Sequence, residues 1–132
     1  MDQGSNRGGS QRQCLFFESL IADLEEFAEH EFKLNIPGKD GLSQREHLEQ
    51  VERQTGKRPK ELDGPEFPEL LSHIWSAFTI LNSTRSVGFS GPNPIPFGDI
   101  KAWMELTGTP LTALEVEAII KLDKVYMRAV ND

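Results

Sequence analysis

The chain is poor in the residues that catalysis and metal binding need most. It has one cysteine, Cys14, in 132 residues, so no internal disulfide can form, and a reducing compartment suits it. Cys14 lies beside a polar tail and is read as inert. The three histidines, His30, His47 and His73, never fall three or four residues from one another or from the cysteine. The converging ligands of a zinc site are therefore missing. There is no Ser or Cys elbow, and no pair of carboxylates stands out from the general acidic background. His73 follows Ser72, but neighbours on a helix point apart. The expectation is a protein that is not an enzyme, with no catalytic, cofactor-binding or metal residues.

Long apolar runs are also missing. None approaches the ~20 residues that span a bilayer, and the opening "MDQGSNRGGSQRQ" is too polar for a signal peptide. A cytoplasmic protein without a membrane partner is expected. Basic residues are outnumbered, 14 Lys and Arg against 21 Asp and Glu, for a net charge of −7. Such a chain repels a phosphate backbone, which argues against nucleic acid as a partner. Its densest basic stretch, "RQTGKRPK" over 53–60, is flanked by acidic residues and is read as a solvated helix end.

What is present is helical periodicity. Residues 1–12 are Gly, Ser, Gln, Asn and Arg for the most part, too polar to offset their ordering entropy, and are expected to be disordered. In "CLFFESLIADLEEFAEHEFKL", Phe16, Phe17, Leu20, Ile21, Leu24, Phe27 and Ala28 recur at helical spacing against an acidic face. That stripe either packs on the rest of the domain or docks into a partner; packing is the reading carried forward. A second, mostly exposed helix begins at Ser43, where "SQRE" sets Ser43 and Glu46 as a capping box, and stops at Gly56. Residues 57–67 hold Pro and Gly and read as a linker.

The strongest helix is "FPELLSHIWSAFTILNSTR", with Leu70, Leu71, Ile74, Trp75, Phe78 and Leu81 as its apolar stripe. Next, "PFGDIKAWMELTG" carries Phe97, Ile100, Trp103, Met104 and Leu106, ending at Gly108. A last helix opens with Thr112 and Glu115 as a second capping box, and Leu111 and Val116 fit the accompanying staple. Its stripe continues through Ile119, Ile120, Tyr126, Met127 and Val130. No alternating strand pattern of useful length occurs. The fold class expected is all-α: a small domain of about three core helices, one or two further N-terminal helices and a disordered N-terminus. The division is 1–12 tail, 13–56 N-terminal helical region, 57–67 linker and 68–132 C-terminal helical domain.

One stretch, "VGFSGPNPIPFGDI" over 87–100, invites comparison with a phosphate loop. The comparison fails. A helix precedes it rather than a strand, no Lys or Thr stands where one is needed, and Pro92, Pro94 and Pro96 remove the backbone donors a phosphate cradle uses. What remains is a stiff, extended link that bends at Gly88 and Gly91 and returns to the core with Ile95 and Phe97. Asp123 falls on the apolar stripe of the last helix, where a carboxylate is costly unless paired. Arg85 is a plausible partner, and so is a backbone N–H of the Pro-rich loop. The favoured reading is a structural tie; a contact with a partner protein is the alternative.

Taken together, "HLEQVERQTGKRPKEL", "FPELLSHIWSAFTILNSTR" and "SGPNPIPFGDIKAWMELTGTPLTALEVEAIIKLDKVYM" resemble the tail assembly chaperones of long-tailed bacteriophages and prophages, specifically the small downstream component of the tail gene cluster. The resemblance runs over about 42–130. It implies a non-enzymatic protein of the host bacterial cytoplasm. Such proteins bind the tape-measure protein, keep it soluble, recruit tail-tube subunits and leave before the virion is complete. An upstream chaperone component is a further implied partner, since in several such phages the two are fused by a ribosomal frameshift. On this reading Trp75, Phe78, Phe89, Trp103 and Tyr126 are candidate partner-binding residues, and Arg85 and Asp123 the structural tie. Two alternatives stay open. One is a helix-turn-helix regulatory adaptor, although Glu115 and Glu117 stand where a recognition helix offers Arg, Lys, Asn or Gln. The other is a minor structural protein of the particle.

Overall fold

A computed structural model describes the backbone over 3–131 and side chains over 15–131. The expectation of a disordered tail over 1–12, and the reading of Cys14, lie outside the fully described residues. Among the described residues there are five α-helices: α1 (Gln3–Asn35), α2 (Gln44–Thr55), α3 (Ser72–Ser83), α4 (Phe97–Thr107) and α5 (Ala113–Asn131). Helix accounts for 69% of the chain, which makes the protein all-α.

The helix ends follow local chemistry. Ser43 caps α2: its hydroxyl accepts from the Glu46 N–H at 3.2 Å, while the Glu46 carboxylate accepts from the Ser43 N–H at 3.2 Å. Gly56 closes the helix at φ 74°, a conformation that costs glycine little. Thr112 and Glu115 repeat the box at the start of α5, with bonds of 2.9 and 3.2 Å. Gly108 ends α4 at φ 65°. Helix α3 differs from expectation, because a 3-10 turn over Glu69–Leu71 precedes it. Leu70 and Leu71 are adjacent and cannot both face inward. Leu71 is 2% exposed and Leu70 is 67% exposed.

One buried cluster joins α1, α3, α4 and α5. Ile21, Leu24, Ala28 and Phe32 of α1 meet Ile74, Phe78 and Leu81 of α3, Ile100 of α4, and Ile119, Leu122 and Val125 of α5. Burying a side chain of this size contributes about 1.5–3 kcal/mol. Phe32 is central. It stacks on Trp75 at 5.7 Å and meets the Tyr126 ring edge-on at 5.2 Å. The stripe of α1 therefore packs on the domain, except that Phe16, one residue before the half-buried Phe17, points away and is exposed. Helix α2 has no buried residue. It is held by polar contacts such as the Arg45–Glu31 ion pair at 2.9 Å.

Residues 57–67 are not bare chain. Leu62 is buried, and His30 of α1 donates to the Glu61 carbonyl at 2.9 Å. A Cβ on Gly64 would lie 2.3 Å from the same imidazole, so this close approach needs glycine. Besides Phe16 and Leu70, Phe97 and Leu106 are also exposed against expectation. The inner face of α4 is Ile100 with the half-buried Trp103 and Met104. At 100° per residue, Leu106 lies about 120° around the helix from Ile100. Phe97 is the first residue of α4 and stands at the edge of a surface groove.

Candidate functional site

The connector between α3 and α4 is a short hairpin rather than a simple extended link. Val87–Gly88 pairs antiparallel with Gly91–Pro92. Phe89 and Ser90 form the turn, and Gly91, at φ 117°, takes the reversal that an L side chain resists. Asn93 locks the hairpin base, donating its N–H to the Ser86 carbonyl at 3.0 Å and its amide to the Ser86 hydroxyl at 3.1 Å.

Beneath the base sits a buried ionic knot. Arg85 and Asp123, with side chains 4% and 6% exposed, meet at 2.5 Å. The contact is one of charge; the two closest atoms make no well-aligned hydrogen bond. The other Asp123 oxygen accepts from the Ile95 N–H at 3.0 Å, so both partners considered for this carboxylate are present. The Arg85 guanidinium also donates to the Asn82 side chain and to the Asn93 carbonyl, each at 2.8 Å, and lies 4.4 Å over the Tyr126 ring. One arginine thus touches the end of α3, the hairpin base and the face of α5.

The five candidate contact residues do not form one patch. Phe78 is fully buried at 0% exposure; it packs against Phe32, Trp75 and Tyr126 and has no free edge to offer. Trp75 and Tyr126 are half-buried and line a groove of about 540 Å³ with Phe32, Ile36 and Pro37. Trp103 packs half-buried against the core from α4. Phe89, at the hairpin tip, is the most exposed large apolar residue among the described residues, at 113% exposure.

A larger open groove, about 820 Å³, was not legible as a site in the sequence. Pro94, Ile95 and Phe97 line it from the connector and the start of α4, and Ile120 and Met127 line it from α5. Lys121, Lys124 and Arg128 also line it, with Glu25 of α1 beside them. The available signal was three cations within eight residues of an otherwise acidic chain, interleaved with Ile120 and Met127.

A polar clamp ties the far end of α5 to α3. His73 contacts the Glu115 carboxylate, which also accepts from the Thr112 N–H. Burial works to raise the Glu115 carboxyl. The bonds from the Thr112 N–H, the His73 ring and the Thr112 hydroxyl outweigh it, and the group sits below its ordinary value. Among the described residues no group of three His, Cys, Asp or Glu side chains is arranged to hold a metal ion. No helix there is long and apolar enough to cross a membrane.

A family model described as phage tail assembly chaperone matches residues 51–128. The chain belongs to the phage tail assembly chaperone family. The match runs from the second half of α2 to near the end of α5, and so contains the ionic knot, the hairpin and the α5 wall of the larger groove. It leaves out α1, although α1 supplies Ile21, Leu24, Ala28 and Phe32 to the shared core. Neither a curated protein nor a solved structure matches the chain.

Proposed function

We propose that this chain binds the tape-measure protein in the host bacterial cytoplasm and recruits tail-tube subunits to it, without catalysing a reaction. Family membership over 51–128 supports the tail-assembly setting. The observation that carries the binding role is Phe89, a wholly exposed aromatic at the tip of a hairpin whose base is held by Arg85, Asn93 and Asp123. An exposed aromatic on a braced support loses little freedom on binding, and such residues dominate interface energetics. Trp75, Tyr126 and Trp103 offer further half-buried edges. Arg85 and Asp123 act as the structural tie that sets the hairpin's direction.

The test is a pull-down of the full chain against the tape-measure and tail-tube proteins encoded in the same gene cluster. Retention of either protein is expected, with weaker retention by Phe89→Ser. Retention of neither overturns the reading.

A further inference from the structure

The larger groove combines three features: apolar lining, room and exposed cations. Its walls are apolar, with Phe97 68% exposed at the rim. At about 820 Å³ it has room for several side chains of a partner. Its cations are exposed, and Lys121 and Lys124 make no ion pair among the described residues. Lys121, Lys124 and Arg128 are spaced three and four residues apart, so they run along one side of α5. The only carboxylates lining the groove are Glu25 and Asp123, and Asp123 is already paired with Arg85.

A cationic row beside an apolar trough, on a molecule of net charge −7, suits an occupant of opposite pattern. The geometry points to a docking site for an acidic amphipathic helix of a tail protein, its apolar ridge set between Phe97 and Met127 and its carboxylates toward Lys121, Lys124 and Arg128. This inference rests on the tail-assembly reading above and adds to it a second surface, distinct from the hairpin tip. A second copy of the chain fits less well, because two molecules of charge −7 repel as they approach. The knot shapes the groove as well: the Asp123 carboxylate holds the Ile95 N–H at 3.0 Å and so fixes the connector's part of the lining.

The experiment measures equilibrium binding of the full chain to the tape-measure and tail-tube proteins of its own gene cluster, over a range of salt. The variants are Lys121→Glu with Lys124→Glu, Phe97→Ser, and a control reversal at Lys39→Glu with Lys57→Glu, which lie outside the groove. All altered side chains are exposed, and circular dichroism checks that each variant folds. The groove reversal is expected to weaken binding about tenfold or more and to flatten its salt dependence. Phe97→Ser weakens binding at every salt concentration, and the control stays within about twofold. Equal losses in control and groove variants, or unchanged binding in the groove variants, overturn the docking site while leaving the chaperone reading intact. Failure of the unmodified chain to bind either protein overturns both. Self-association or duplex-DNA binding that the groove reversal abolishes, without loss of tail-protein binding, overturns the proposed occupant.

Discussion

The root and the tip of the α3–α4 connector are a few residues apart and obey opposite rules. At the root, Arg85, Asn93, Ile95 and Asp123 are pinned by hydrogen bonds and burial. At the tip, Phe89 rests on nothing. An apolar residue left fully in water adds nothing to folding. A buried charge pair is itself weak evidence for stability, since desolvation offsets much of its attraction. On the function proposed above, the knot sets the direction of a tip that is itself fully exposed.

The contrast breaks first at the knot. Asp123→Ala leaves Arg85 buried without its charge partner and the Ile95 N–H unsatisfied. It is expected to cost about 3–5 kcal/mol in denaturant unfolding; a loss below about 1 kcal/mol would show the carboxylate to be dispensable. The double replacement Arg85→Met with Asp123→Leu should recover much of that loss. Next is Ile95→Ala, which removes a buried side chain from the hairpin root and is expected to cost about 2–4 kcal/mol. Smaller still is the cap beyond the knot. Thr112→Ala removes the side-chain acceptor for the Glu115 N–H, for about 1 kcal/mol. The Glu115 carboxyl is depressed from its ordinary 4.5, so its contribution is fully present above that pH and is lost as pH falls through the lower folded value. Acid unfolding of Glu115→Gln should therefore show a flatter pH dependence in that window. Smallest in stability is Phe89→Ser, within about 0.5 kcal/mol of the unmodified chain. A large thermal shift from that change would mean that the tip belongs to the fold after all.

Legibility in the sequence tracked distance along the chain. The caps at Ser43–Glu46 and Thr112–Glu115 and the stops at Gly56 and Gly108 lie within one helical turn of the groups they satisfy, and each was readable as a pattern. Asp123 was conspicuous because a carboxylate on an apolar stripe demands a partner. Leu70, Phe97 and Leu106 lie on apolar stripes yet are exposed, for one reason. Periodicity marks a face as apolar but does not say which neighbour covers it, or whether any does. Phe78 has the residue type of a contact residue, but packing takes up its whole surface. The cations on α5 carry no sequence signal of a groove, because the Pro94, Ile95 and Phe97 side chains that share it come from a separate segment.

The sequence alone determined the all-α class, the helix boundaries set by caps, and the unsuitability of the Pro-rich loop for phosphate, because these depend on groups close together on the chain. The tertiary structure decided that α1 lies in the core with α5, that the connector folds into a hairpin with Phe89 outward, and that Phe97, Met127 and three cations share one groove. Those outcomes rest on contacts between residues tens of positions apart, whose pairing is settled only when the helices choose which apolar faces to bury together.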